Sequence, residues 1–309
     1  MPPNGNVLVV GAASLDLKGH ASGELYHGAS SPGLVRRSVG GVARNVAENL
    51  ARLGVNVSLL TAIGDDPTGE LVLRQATEAG IDTHQVLTVP GGRTGAYLAV
   101  LDSTGALHTA VDDMAVLEAI SPRYLHDRRK LIAEAAMVVA DANLTPAALE
   151  TLFGITFKNG VRVCADPTSP LLAARLRPYV SQLALTTPNA AEAMALSGLS
   201  VDDDEDAQRV ARYLVSLGVG LAVITLGERG LAYATSDESG RFPALRTEIV
   251  DPTGAGDAMT AGVIFGLLND LEPVEAVRLG LSAATLTLKC AETVCPDLSL
   301  EKLYNQLVV

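Results

Sequence analysis

The chain has 309 residues, of which 48% are hydrophobic, 4% aromatic and 19% charged, and its formal net charge is −12. That is an ordinary globular composition with room for a full core and one or two domains. The acidic balance repels phosphodiester backbones and argues against nucleic acid as a partner, although a local nest of N–H groups can still hold a nucleotide phosphate.

Met1–Asn6 lacks a basic region and a long apolar stretch, so it does not read as a signal peptide. Val7–Val10 is a fully apolar run ended by Gly11 and reads as a buried parallel strand. No GxGxxG follows it, which disfavours a dinucleotide-dependent oxidoreductase. Lys18–Ser38 is polar, Gly-rich and without helical period. Gly40-Gly41 then opens a helix marked by Val42, Val46, Leu50 and Leu53 and closed by Gly54. Asn45 in its first turn is a poor helix former but a good hydrogen-bonding partner for a diol. Val57–Leu60 reads as a second buried strand, and Leu71–Ala79 as a helix.

Ala96–Asp112 alternates around Asp102-Ser103-Thr104-Gly105, which predicts a hairpin. With 18–38 it is expected to form one small antiparallel sheet standing off the main body, as a lid or a dimer contact. Ala136–Val139, Val161–Cys164 and Leu221–Ile224 are further apolar strands. Helical periods fit Ala190–Ser197, Ala207–Leu217 and Val274–Lys289. Asp202–Asp206 is expected in a solvated loop that caps the next helix. Cys164, Cys290 and Cys295 are odd in number, widely spaced and free of a CxxC pair, which argues against a disulfide framework or zinc site and points to a reduced cytosol. The longest apolar run, about a dozen residues, is short of a membrane span. Strands alternating with helices predict an α/β fold on a mostly parallel sheet.

The most informative run is Asp251-Pro252-Thr253-Gly254-Ala255-Gly256-Asp257, followed by an apolar helix over Ala258–Leu268. Such a turn aims backbone N–H groups at one point and forms an anion site, and a carboxylate in the first helical turn is a general-base candidate. An anion hole beside a base suits phosphoryl transfer to a hydroxyl. Asp before a helix is also an ordinary N-cap, and Gly-x-Gly an ordinary turn.

Four more segments accompany it in order: Gly40–Gly54, Ile63-Gly64-Asp65-Asp66 with Gly69, Thr187–Glu192 and Val223–Gly230. The set resembles the ribokinase-like, or PfkB, family of sugar and nucleoside kinases over Val7 to about Tyr304. The likeness implies one kinase domain over residues 1–309, a three-layer α/β/α sandwich with a small β-lid from about 14–38 and 94–114. It further implies a homodimer through that lid. Within the family the chain looks most like pseudouridine kinases, at Gly40-Gly41-Val42 with Arg44-Asn45, Asp113-Met114, Val139-Ala140-Asp141 with Asn143, Asp166-Pro167 and Pro296–Ser299. The implied reaction is ATP-dependent phosphorylation of the 5′-hydroxyl of pseudouridine in the cytoplasm. A ribokinase, a broad-specificity nucleoside kinase and a non-catalytic nucleotide-binding regulator are the alternatives.

By the same resemblance Asp257 is the base, and Gly254, Ala255 and Gly256 supply N–H groups to the γ-phosphate. Asp16 and Asn45 hold the ribose over Gly40 and Gly41, with Ser14 standing where the family usually has Asn. Asn189 and Glu192 match the segment that orders Mg²⁺ and its waters near ATP, and Thr225, Gly227 and Gly230 the nucleotide-binding segment. Asp251 and Thr253 match positions that hold K⁺ in many members, mostly through backbone carbonyls, with Pro252 a variant whose carbonyl stays free. Asn143 is implied in sugar selectivity. Asp113, Tyr97 and Thr94 lie on or beside the lid hairpin, and Asp113 is the expected acceptor for the free N1–H of pseudouridine.

Overall fold

A computed structural model of the chain describes residues 5–307, so Met1–Asn4, where most of the leader reading falls, lies outside it. The strands are β1 (Val7–Val10), β2 (Ser14–Ala21), β3 (Gly33–Gly40), β4 (Val57–Leu60), β5 (Ala62–Gly64), β6 (Leu87–Val89), β7 (Gly95–Leu101) and β8 (Leu107–Asp113). They continue with β9 (Met137–Asp141), β10 (Val163–Asp166), β11 (Leu183–Thr186), β12 (Leu221–Thr225), β13 (Leu231–Ala234) and β14 (Ser239–Phe242). The α-helices are α1 (Val42–Arg52), α2 (Pro67–Glu78), α3 (Pro122–Asp127), α4 (Arg129–Glu134), α5 (Pro146–Asn159) and α6 (Pro170–Ala173). After them come α7 (Ala190–Ser197), α8 (Asp204–Ser216), α9 (Ala255–Leu268), α10 (Pro273–Leu288) and α11 (Leu300–Leu307).

Eight strands form the main sheet in the order β14-β13-β12-β11-β10-β9-β1-β4, parallel from β4 to β12 and antiparallel at the β13–β14 edge. Alternation along β1 shows why both faces are covered. Leu8 and Val10 enter the core packed by α5, α7 and α8, whereas Val7 and Val9 enter the one packed by α1, α9 and α10. A strand buried on both sides must be apolar at every position, and Val7–Val10 is. The result is a three-layer α/β/α sandwich. Asp203 caps α8 by accepting from Asp206 N at 2.8 Å, so the acidic run reaches into the helix's first turn as well as capping it.

A second sheet, β3-β2-β7-β8, stands apart and corresponds to the expected lid. It is mixed rather than antiparallel, because β2 pairs with β7 in parallel. Each is the outgoing arm of its own hairpin, and the two outgoing arms lie side by side. The segment read as polar and irregular supplies the second half of β2 and most of β3, whose first five residues are all exposed. Cys290 and Cys295 are paired as a disulfide, which corrects the expectation of free thiols there, while Cys164 is buried and unpaired. The two lie five positions apart in the loop after α10, with their Cα atoms 5.6 Å apart. No described helix is long and apolar enough to cross a membrane.

Candidate active site

The carboxyl ends of β1, β9 and β10, the N-termini of α1 and α9, and the base of the lid converge on one cleft. Ligands of open parallel sheets bind at this edge, where loops diverge to opposite faces. On the lid side, Asp16 is 5% exposed, and Ser14 Oγ donates to its Oδ1 at 3.0 Å. Ser14 therefore orients Asp16. Burial raises the Asp16 pKa, with the Ser14 hydrogen bond and the charges of Lys18 and Arg44 opposing. Gly40 lies directly under this carboxylate, since a Cβ there would fall 2.2 Å from Asp16 Oδ2. Only glycine permits that approach.

Across the cleft, α9 starts at Gly254, whose φ of +82° and place against the carbonyl of Thr293 admit no side chain. The Gly256 and Asp257 N–H groups of its first turn meet no protein acceptor among the described residues, whereas Ala255 N–H turns back to Pro252 O at 3.4 Å. Free first-turn donors at a helix N-terminus form an anion hole. Asp257 is buried there, and Asn45 Nδ2 donates to its Oδ2 at 2.8 Å. This bond joins α1 to α9 across 212 residues of sequence. Burial lifts the Asp257 pKa well above the usual carboxylate range, the Asp166 charge adds to it, and the Asn45 hydrogen bond opposes.

Asp251 lies just before this turn. Lys18 Nζ, from the lid, pairs with its Oδ2 at 2.8 Å, and Thr253 N donates to Oδ1 at 2.8 Å. Burial disfavours the Asp251 anion, but these contacts outweigh it and hold its pKa below the ordinary value. The Asp251 carboxylate thus carries an ammonium, a pairing that does not involve the backbone carbonyls of Asp251 and Thr253 through which the resemblance implies K⁺ binding. Thr225, Gly227, Gly230, Ala255 and Gly256 line a cavity of about 530 Å³ with Leu281 and other apolar residues, a groove wide enough for a purine.

Asn189 and Glu192 form a capping box on α7, each side chain accepting from the other's backbone N–H. Thr225 N donates to Pro188 O at 2.9 Å, so this cap abuts the nucleotide groove. Burial pushes the Asp166 pKa up to about 7, and the Glu192 charge adds to the rise. Two buried carboxylates of like charge facing a phosphate site fit the chemistry of Mg²⁺, which uses one or two carboxylates and keeps waters. Among the described residues no cluster of three or more candidate metal ligands exists, so any cation there draws its remaining ligands from phosphate and water.

Tyr97 lies opposite Asp16 on β2 and opposite Asp112 on β8. Asp112, rather than Asp113, is therefore the lid carboxylate facing this side. Asp113 pairs with Ala96 and accepts from Ala115 N at 3.1 Å. Thr94 is held elsewhere, its hydroxyl donating to Asp66 Oδ1 at 2.7 Å. Asp112, Met114, Asn143 and Arg175 line a cavity of about 350 Å³ beside the lid. Arg175 Nη1 donates to the carbonyls of Ala142, Asn143 and Leu144 at 3.1–3.3 Å, fixing the loop that presents Asn143.

Several contributors had no role assigned by sequence. Asp141 Oδ2 accepts from Ala12 N at 2.7 Å and Ala43 N at 3.1 Å, binding the β1–β2 turn to the start of α1. Lys18, Arg44, Asp166 and Thr293 are the others. A lone Asp at the end of an apolar strand, as at 141 and 166, was the available signal.

The chain matches the pfkB family carbohydrate kinase profile over residues 4–298. It belongs to that family. Pseudouridine kinase of Escherichia coli K12 is 35% identical over 295 residues, 95% of this chain and 94% of the relative. Ribokinase of Haemophilus influenzae is 30% identical over 255 residues, 80% of each. The structure of Arabidopsis thaliana ribokinase with ribose and ATP superposes with a TM-score of 0.85 at 21% identity, covering all of both chains, which shows the shared fold. As a pfkB kinase the chain is a phosphotransferase with an alcohol acceptor, and the family uses ATP.

Proposed function

We propose that this kinase transfers the γ-phosphoryl group of ATP to the 5′-hydroxyl of pseudouridine. The observation that carries the reaction is the buried Asp257 beside unpaired N–H donors at the start of α9, facing Asp16 across the cleft. The observation that favours pseudouridine is the 35% identity to a pseudouridine kinase along nearly the whole chain.

Asp16 and Asn45 hold the ribose hydroxyls, with the ring close over Gly40 and Gly41. Asp257 takes the proton of the 5′-hydroxyl as its oxygen attacks the γ-phosphorus. The N–H groups of Gly256 and Asp257 receive the charge developing on the phosphoryl oxygens. ATP lies in the groove at Thr225, Gly227 and Gly230, with Asn189 at its edge. Asp166 and Glu192 would hold a water-coordinated Mg²⁺, which would supply neutralisation of the phosphate charge. Lys18 neutralises the Asp251 carboxylate beside the phosphate turn. The base enters the cavity of Asp112 and Asn143, where Asp112 accepts the N1–H that distinguishes pseudouridine from uridine. We further propose a homodimer through the lid's outer face.

Asp257→Asn tests the chemistry. It is expected to lower kcat by roughly 10²- to 10⁴-fold while acceptor binding, measured calorimetrically, stays near wild type. Wild-type turnover in that variant would refute the role of Asp257.

Ribokinase activity is the second reading, favoured by the 30% identity to a ribokinase and by a diol site that ribose alone also satisfies.

A further inference from the structure

We propose that Arg44 and Thr293 are positioning residues for the reaction, fixing the Asn45 amide so that its Nδ2 rather than its oxygen faces Asp257. The inference rests on the reading of Asp257 as proton acceptor.

An amide turned over by half a turn would present its oxygen to a carboxylate and repel it. Something must set the orientation, and Arg44 does. Its Nη1 donates to Asn45 Oδ1 at 3.1 Å and to Val39 O at 3.2 Å. A guanidinium has donors only, so the Asn45 atom facing it must be the oxygen and the nitrogen is left for Asp257. Thr293 Oγ1 donates to Val39 O at 2.9 Å and lies 3.4 Å from Asn45 Oδ1, closing the same corner.

Arg44 is itself held rigidly. It is 5% exposed, and its Nη2 pairs with Glu48, whose other oxygen accepts from Arg52 Nε at 2.9 Å and Nη2 at 2.6 Å. A pair serving helix stability alone needs only Glu48. Here the fork reaches past it to the side chain that touches the base. Thr293 adds a link to the phosphate end, because its carbonyl packs against Gly254 at the start of α9. One corner therefore registers the base, the anion hole and the end of β3. The other charged groups facing Asp257 are Asp16 from β2, Asp141 from β9 and Asp166 from β10, all acidic. None of them can set the Asn45 amide by donating to it when ionised.

The test is a double-mutant cycle on the full chain, with the acceptor that wild type phosphorylates best. Arg44→Lys keeps a charge for Glu48 but loses the planar fork. It is expected to lower kcat by roughly tenfold with the KM for ATP unchanged, since a misplaced reacting group costs rate rather than nucleotide affinity. In an Asn45→Ala background the same change is expected to cost less than about twofold, because its effect runs through Asn45. Thr293→Val, which removes only the hydroxyl, repeats the cycle should Arg44→Lys fail to fold. Equal losses in both backgrounds, or wild-type kcat in the single variants, would overturn the proposal and leave Arg44 a structural ion pair. Turnover retained in Asp257→Asn would instead strike the reading beneath it, so the two failures are distinguishable.

Discussion

Asp257 is under two opposed demands. Burial and the Asp166 charge favour its protonated form, yet the proton-accepting role we propose for it requires the ionised form. Its folded-state pKa is raised, so activity should be lost as pH falls through a value above the ordinary carboxylate range. The acid limb of the kcat/KM profile reads this directly, and a limb near pH 4, the unperturbed range, would contradict it. Asp166 gives a stability counterpart. Its pKa rises from 3.8 to about 7, so the native state binds a proton that the unfolded chain releases. The contribution is complete below about pH 4 and is lost as pH climbs to about 7. Thermal melts in a chelator at pH 5 and pH 8 should therefore show a smaller loss for Asp166→Asn than for wild type; equal losses would remove Asp166 as the cause. Gly40, Asn45 and Asp257 were legible as candidates because glycines and helix starts punctuate the sequence, and Asp16 only through the family resemblance. Arg44 and Thr293 were not, because 249 positions separate them and only folding makes them share Val39 O.

The elements that sequence reads best are those whose pattern is set by burial on known faces. Val7–Val10, Val57–Leu60 and Leu221–Ile224 become parallel strands because every position is buried. The helix Val42–Arg52 follows its apolar stripe at Val46 and Leu50. The lid reads less well. Its strands β3 and β8 lie largely open, so composition carries little of their burial pattern, and the parallel pairing of β2 with β7 joins residues far apart in sequence. Val35 on β3 and Val111 on β8 are exposed on one face of that sheet. If the proposed dimer uses this face, Val35→Lys with Val111→Lys should convert a dimer to a monomer in light scattering. An unchanged mass would place the contact elsewhere or show a monomer throughout.

At the scale of the molecule, an acidic chain of net charge −12 builds its phosphate site from backbone dipoles rather than a basic surface. The fold and the family are those that the two glycine runs announce. The cavity in which we propose the base to sit is lined by Asp112, Asn143 and Arg175, from three separate segments. Sequence alone favoured Asp113, whereas the one-residue alternation of β8 puts Asp112 on the sheet face shared with Tyr97 and Asp16. The most direct measurement is ADP release with ATP and Mg²⁺ against pseudouridine, uridine, inosine, ribose and fructose. The expected result is a kcat/KM for pseudouridine at least roughly tenfold above every other acceptor, narrowed toward uridine in Asp112→Ala. Equal or better turnover of ribose would contradict it.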